Sequence, residues 1–203
     1  MPRSPLIRSN PRPLLLLCVG LVLVAGAQAS SVLRGPPHHR TMVPASAAPC
    51  VHLSARLPHM GRALCDAAEL VATEGRSSQG RTLYARDVVA PQARLRVLVV
   101  GAIHGDEMSS ASVALHWIQH AIREPADAHW RFIPVLNPDG LLARPAKRVN
   151  ARGVDLNRNF PTPNWASDAK VYWEQRTRKD PRRWPGPSPL SEPETRFLHD
   201  EMA

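Results

Sequence analysis

A histidine and a carboxylate lie three residues apart in the segment His104-Gly105-Asp106-Glu107. At this spacing an imidazole nitrogen and a carboxylate oxygen can converge on one metal ion of the zinc type. The same spacing also suits a polar turn whose glutamate lies in the first turn of a following helix, where the helix dipole favours negative charge. Spacing alone favours the polar turn and leaves the metal site open.

A second segment with possible chemistry, residues 148–161, is rich in arginine and asparagine. Guanidinium groups bind carboxylates through two parallel hydrogen bonds, and a neighbouring amide adds geometric selection. The segment is therefore a candidate anion-binding site, although composition alone favours a solvated loop. Within 12 residues it contains three residues of each type, namely Arg148, Arg152, Arg158, Asn150, Asn157 and Asn159.

The elements around these segments are those of an α/β protein. Residues 95–103 form a nearly continuous apolar run, which predicts a central strand buried on both faces with His104 at its carboxyl end. Residues 108–122 have the apolar spacing of a helix, and residues 130–136 predict the next strand. This order predicts a right-handed crossover in a mainly parallel or mixed sheet, whose carboxyl edge is a usual place for ligands.

The rest of the chain predicts fewer elements. Apolar spacing indicates a helix within residues 51–72, and residues 82–89 predict a strand. A start signal at Ser191-Glu192-Pro193-Glu194 predicts a helix over residues 192–202. Between residue 142 and that helix the sequence predicts mostly loop.

Four motifs, taken together and in order, resemble those of the zinc carboxypeptidase family. They are a strand followed by His-Gly-Asp-Glu, then Asn-Pro-Asp-Gly at 137–140, then Arg-x-Asn-x-x-Gly-Val-Asp-Leu-Asn-Arg-Asn-Phe-Pro at 148–161, and Ser-Glu-Pro-Glu-Thr at 191–195. The short spacings and the last motif most resemble the murein peptide amidase branch. The resemblance covers residues 75–203 and implies part of a zinc carboxypeptidase fold, with helices flanking the sheet.

The resemblance also implies a role for each matching residue. His104 and Glu107 would be two of three ligands to one Zn²⁺ ion. Arg148 would polarise the scissile carbonyl and stabilise its oxyanion. Asn157 and Arg158 would hold the terminal carboxylate of a peptide substrate, which the murein branch suggests is a murein tripeptide.

Two further positions of the same motif, Asp155 and Asn159, are expected to shape the loop. In the family the third zinc ligand is a histidine on a strand after the Ser-Glu-Pro-Glu-Thr helix, and the catalytic glutamate follows later. This chain ends at Ala203 within that helix, so we expect the later strands to be missing and the zinc site to be incomplete. His199 lies too early to substitute.

Two hypotheses about function follow, and a third has less support. The chain is either an amidase or carboxypeptidase that hydrolyses murein peptides, or a catalytically incomplete fragment that at most binds carboxylates. The third possibility is a basic surface-binding protein without a site. The formal net charge is +9, but no basic run is longer than Arg182–Arg183, so a nucleic acid partner is not expected.

The N-terminus predicts export. Arg3, Arg8 and Arg12 precede an apolar run over residues 14–25, which is followed by Ala27-Gln28-Ala29. This pattern is typical of a secretory signal peptide over residues 1–29. We therefore expect a periplasmic or secreted protein without a membrane span after cleavage, a Pro-rich leader with a helical segment over 30–74, and the catalytic domain part over 75–203.

Export leaves two cysteines, Cys50 and Cys65, in an oxidising compartment. An even number of cysteines in a secreted chain favours a disulfide, and two unpaired cysteines are the alternative. Closing a loop of about 15 residues would contribute roughly 3 kcal/mol to stability.

Overall fold

The computed structural model describes residues 48–124 and 128–203. The predicted signal peptide and the leader as far as residue 47 lie outside these two ranges. Within them, no helix has both the length and the apolar character needed to cross a membrane.

The segment predicted to contain one helix, residues 51–72, forms three elements instead. These are helix α1 (Ala48–Ser54), helix α2 (Arg62–Asp66) and strand β1 (Val71–Arg76). Pro58 and Gly61 lie between the two helices, where proline removes a backbone donor and glycine weakens helical preference. The prediction of a single helix is therefore wrong, because the apolar spacing continues across residues 55–61, where the helix is interrupted.

A disulfide joins Cys50 in α1 to Cys65 in α2, with their Cα atoms 5.6 Å apart. Both side chains are buried. The helical pair is also held to the rest of the molecule by Arg56, whose Nε donates a hydrogen bond to the carbonyl of Leu141 at 2.9 Å. The pair is thus packed on the same core as the sheet.

A four-stranded mixed sheet forms the centre of the described structure, in the order β1-β2-β4-β3. Strand β2 (Thr82–Val88) pairs antiparallel with both β1 and β4 (Ala128–Ile133), whereas β3 (Leu95–Val100) pairs parallel with β4. Helix α3 (Met108–Arg123) connects β3 to β4. The predicted strand–helix–strand crossover and the mixed α/β class are confirmed.

The position of β3 differs from the prediction of a central strand. Among the described strands β3 lies at the edge of the sheet, and its first residue, Leu95, is 64% exposed. No residue of β3 is fully buried. Among the described residues only β4 pairs with β3, so the other edge of β3 is left uncovered.

Helix α3 buries the predicted apolar stripe against the sheet. Ala111, Ala114, Ile118 and Ala121 are all buried. His116 and His120, on the opposite face, are exposed as the spacing predicts. The helix therefore stabilises the crossover through burial of one face.

The C-terminal part contains three helices. They are α4 (Pro138–Leu142), α5 (Trp165–Val171), which continues into a π-helical turn (Tyr172–Arg176), and α6 (Pro193–Met202). The sequence predicted α6 but missed α5, which has no buried residue and hence no apolar stripe.

Candidate active site

The loop that carries the candidate metal ligands is positioned by continued pairing beyond β3. Gly101 N donates to Ile133 O at 2.9 Å, and Asn137 N donates to Ala102 O at 2.9 Å. This pairing places the His-Gly-Asp-Glu loop directly on α4. A Cβ atom at Gly105 would lie 2.2 Å from the backbone carbonyl carbon of Gly140, so only glycine allows this approach.

His104 and Glu107 converge as a candidate pair of metal ligands. The distance between His104 Nδ1 and Glu107 Oε1 is 3.0 Å. His104 is buried, and its Nδ1 makes no hydrogen bond of acceptable geometry with any described residue. A buried nitrogen without a hydrogen bond, next to a carboxylate oxygen, is the arrangement expected of two ligands that share a cation.

Asp155 holds the other side of the imidazole. His104 Nε2 lies 3.0 Å from Asp155 Oδ1, and Asp155 is fully buried. Burial alone would raise the pKa of Asp155, yet its hydrogen bond with His104 and the charge of Arg148 hold that pKa below its usual value. An ionised Asp155 accepts the proton of Nε2, which leaves Nδ1 as the atom that faces Glu107.

The surroundings of the His104 imidazole favour positive charge on the ring or beside it. Burial disfavours its charged form, but the hydrogen bond with Asp155 and the Glu107 carboxylate outweigh burial and raise the pKa of His104. The site thus attracts positive charge to Nδ1, and a bound cation would satisfy the same electrostatic demand as a proton.

Arg148 borders the ligand pair. Its Nη1 lies 3.1 Å from Glu107 Oε1 and its Nε lies 3.1 Å from Asp155 Oδ2. The backbone at this position is held by the buried side chain of Asn137, whose Nδ2 donates to Arg148 O at 3.1 Å. The predicted Asn-Pro-Asp-Gly turn is therefore the start of α4. Its asparagine also holds the backbone of Arg148, the residue expected to stabilise the oxyanion.

Arg158 and Asn157, the predicted carboxylate-binding pair, lie in the adjacent 3₁₀ turn. The Arg158 guanidinium lies 4.5 Å from the ring centre of Tyr172, and its Nε lies 3.4 Å from Asp155 Oδ2. Asn157 is exposed, and its backbone N–H donates to Asp155 Oδ1 at 3.2 Å. The structure therefore brings His104, Arg148 and Arg158 against one buried carboxylate. Glu107 joins the cluster through His104 and Arg148.

The sequence predicts a loop-shaping role for Asp155, and its side chain does accept a hydrogen bond from the backbone N–H of Asn157 at the start of the 3₁₀ turn. The structure adds contacts of the same carboxylate with His104 and two arginines, which the sequence did not predict. The acidic side chain of Asp155 between several arginines was the available signal. Asn159 does act on the loop, because its Nδ2 donates to Pro185 O at 2.7 Å and its Oδ1 accepts from Thr195 Oγ1 at 2.7 Å. Asn159 thereby attaches the Arg-rich segment to α6.

The Ser-Glu-Pro-Glu-Thr motif forms a buried hydrogen-bonded network. Glu194 Oε1 accepts from the backbone N–H and the hydroxyl of Ser78, each at 2.7 Å. Asn150 Nδ2 donates to Glu192 Oε2 at 2.7 Å. This network fixes α6 against the loop after β1 and against the Arg-rich segment.

The donor set of His104 and Glu107 fits zinc, which binds imidazole nitrogen and carboxylate oxygen. In residues 48–124 and 128–203 no cluster of three or more His, Cys, Asp or Glu side chains is arranged to hold a metal ion. His199 lies on α6 with Asp200 as its charged neighbour, at 3.9 Å. In the described part of the chain, His104 and Glu107 are therefore candidate zinc ligands without a third His, Cys, Asp or Glu arranged to complete the site.

An apolar pocket of about 230 Å³ lies elsewhere, between α1, β2 and α4, and none of the candidate residues lines it. The candidate site is instead a partly open cluster: the side chain of Glu107 is 51% exposed and that of Arg158 is 28% exposed. The candidate site is identified by the chemical groups of its side chains and not by the size of a pocket. The pocket is lined by Pro49, His52, Leu53, Leu70, Arg81, Thr82, Tyr84, Pro134, Val135, Pro138 and Leu142.

The chain is similar in sequence to known amidases and carboxypeptidases. The chain is 37% identical to murein peptide amidase A of Escherichia coli (strain K12) over 133 residues, which are 61% of this chain and 52% of the relative. It is 31% identical to the catalytic chain of carboxypeptidase N from Mus musculus over 116 residues, 44% of this chain and 25% of the relative. The chain thus spans about half the length of the bacterial relative.

The fold is similar to that of solved carboxypeptidases. Carboxypeptidase A from Helicoverpa armigera superposes with a TM-score of 0.54 at 23% identity, over 66% of this chain and 37% of that one. The zinc carboxypeptidase family itself matches residues 59–203. That match begins before residue 75, where the resemblance of the motifs begins, and includes every candidate side chain except Cys50. This chain belongs to the zinc carboxypeptidase family.

Proposed function

We propose that this chain contributes to a zinc-dependent peptidase site that hydrolyses an amide bond next to a free terminal carboxylate, with murein tripeptides as the substrate class. The observation that carries the proposal is the 3.0 Å approach of His104 Nδ1 to Glu107 Oε1, with no hydrogen bond at Nδ1. Similarity to murein peptide amidase A supports the substrate class.

Each residue of the cluster has a part in this chemistry. His104 and Glu107 would hold Zn²⁺, which when bound supplies a Lewis acid and lowers the pKa of a water molecule. Arg148 directs its guanidinium toward the same space and would stabilise negative charge on the scissile carbonyl oxygen. Arg158 would bind the terminal carboxylate with Asn157 beside it, and Asp155 would orient both His104 and the arginines.

A second candidate function is carboxylate binding without turnover. Catalytic zinc sites normally have three protein ligands and a water molecule, and the described residues present two. Under this alternative the arginines still bind carboxylates while hydrolysis is absent. In either case we propose a periplasmic or secreted location, which the signal-like N-terminus supports.

Calorimetric titration with zinc, together with an assay for release of meso-diaminopimelate from L-Ala-γ-D-Glu-meso-diaminopimelate, tests the proposal. We expect weak zinc binding that His104→Ala abolishes, because that substitution removes one of two ligands. His116→Ala is the matched control, since it removes an exposed histidine on α3. Hydrolysis that depends on His104 supports the peptidase, whereas peptide binding without hydrolysis supports the alternative. Zinc binding that survives His104→Ala would contradict the assignment of His104 and Glu107 as the zinc-binding pair.

A further inference from the structure

A third guanidinium, that of Arg182, reaches the metal-ligand loop from a distant part of the sequence. Its Nη2 donates to Asp106 Oδ2 at 2.7 Å, across 76 positions of the chain. Asp106 lies between the two metal-ligand candidates, next to Glu107. Arg182 therefore borders the candidate zinc pair, although no motif of the sequence marks it.

Most of the Arg182 guanidinium is available to a ligand. Its side chain is 58% exposed, and within the described ranges its one polar partner is Asp106. A guanidinium carries five N–H donors, so the bond to Asp106 orients the group and leaves donors that face solvent. The hydrogen bond and charge of Asp106, followed by the charges of Asp180 and Glu107, raise the pKa of Arg182.

The loop that carries Arg182 is held on both sides. Trp173 Nε1 donates to Asp180 O at 2.8 Å, and Asp180 Oδ1 accepts from the backbone N–H of Arg182 at 2.9 Å. On the other side Asp155 N donates to Trp184 O at 2.8 Å. The guanidinium is thus presented from a preorganised turn, which reduces the entropic cost of binding a ligand.

The three guanidiniums differ in their contacts with the cluster. Arg158 contacts Asp155 and Tyr172, Arg148 contacts Asp155 and Glu107, and Arg182 contacts Asp106. Arg158 and Arg182 thus contact different carboxylates, those of Asp155 and Asp106. A substrate with one carboxylate, bound by Arg158, would leave the solvent-facing donors of Arg182 unpaired.

We propose that Arg182 binds a second carboxylate of the substrate, the free α-carboxylate of a γ-linked glutamyl residue. This inference rests on the proposed function. In a γ-glutamyl peptide the α-carboxylate of the glutamyl residue stays free, a few bonds from the scissile amide. With the terminal carboxylate at Arg158 and the scissile carbonyl at the metal pair, Arg182 is the exposed guanidinium beside the metal-ligand loop that is left for the second carboxylate.

The test uses the purified chain and two synthetic tripeptides, L-Ala-γ-D-Glu-meso-diaminopimelate and the same peptide with the glutamyl α-carboxylate converted to an amide. Arginine Nε–Hε resonances followed by NMR report on Arg158 and Arg182 separately. We expect Arg158 to respond to both peptides and Arg182 to the acid alone. The acid should bind at least about 10-fold more tightly, as a charge-assisted hydrogen bond implies.

Three variants separate substrate binding by Arg182 from a structural role. Arg182→Gln should lower affinity for the acid to that for the amide, and Arg183→Gln, the neighbouring arginine, should leave both affinities unchanged. Asp106→Asn breaks the ion pair but keeps the guanidinium, so it should retain preference for the acid. Circular dichroism checks that each variant is folded.

Two results would overturn the inference while leaving the proposed function intact. One is an unchanged Arg182 resonance when Arg158 responds to the acid peptide. The other is an equal loss of affinity for both peptides in Arg182→Gln, with the same loss in Asp106→Asn, which would mean that the bridge only supports the loop. If Arg158 responds to neither peptide, the carboxylate site itself fails, and both proposals fall together.

Discussion

His104 Nε2 and Asp155 Oδ1 lie 3.0 Å apart, although 51 positions separate the two residues in the sequence. This contact connects the loop after β3 to the Arg-rich segment and decides which imidazole nitrogen faces Glu107. It also brings a buried carboxylate within reach of Arg148 and Arg158. The candidate metal pair and the candidate anion site are therefore one electrostatic unit.

Replacing Asp155 with asparagine should weaken both parts of this unit. The variant removes a buried charge that faces two guanidiniums, and breaking a buried ion pair typically costs about 3 kcal/mol. Zinc affinity should also fall by roughly 10-fold or more, because a partner that orients a ligating histidine is lost. Urea unfolding and zinc titration measure the two effects. Asp200→Asn, at a side chain that is 79% exposed, should change neither, and an unaltered zinc affinity in Asp155→Asn would contradict the orienting role.

Breaking the disulfide should destabilise the N-terminal helical pair. Cys50 and Cys65 close a loop with a sequence separation of 15, for which the chain-entropy estimate is about 3 kcal/mol. We expect the free energy of unfolding to fall by about this amount in the double serine variant. Adding a reducing agent should destabilise the original chain and have no effect on that variant; equal sensitivity of both would contradict the prediction.

The Ser-Glu-Pro-Glu-Thr network should be sensitive to loss of its buried carboxylate. Glu194 is fully buried and accepts two hydrogen bonds from Ser78. Glu194→Ala leaves those donors unsatisfied, so we expect a loss of roughly 2–4 kcal/mol in unfolding free energy. Glu124→Ala, at a side chain that is 74% exposed, is the control and should stay within about 0.5 kcal/mol. Chemical denaturation measures both, and similar values for the two variants would refute the network's role.

The open edge of β3 should promote self-association. Leu95 is 64% exposed on a strand that pairs with β4 alone among the described strands, and charged residues protect such edges from pairing. We expect Leu95→Lys to reduce the fraction of oligomer measured by analytical ultracentrifugation, without lowering thermal stability. Val89→Lys, which changes an equally apolar side chain that is 61% exposed beyond β2, should not reduce it. If both substitutions act alike, general surface hydrophobicity rather than the strand edge drives association.

The sequence by itself determined the local elements and the short-range pairings. Helical apolar spacing was sufficient for α3, and a start signal was sufficient for α6, because both are local features of the sequence. The strand β2 was also predicted from its own residues. His104 and Glu107 converge because they are three residues apart on one loop. The motifs were also sufficient to identify the family, since their order along the chain is itself a linear property.

Tertiary structure decided what depends on distant neighbours. Three features follow from how separate segments pack, and the local apolar spacing of the sequence does not predict them. They are the interruption of the helix between α1 and β1, the edge position of β3, and the placement of Arg182 beside Asp106. The role of Asp155 was decided in the same way. Its neighbours in sequence indicate a polar loop, whereas only the packing of separate segments places its buried carboxylate against His104 and two arginines.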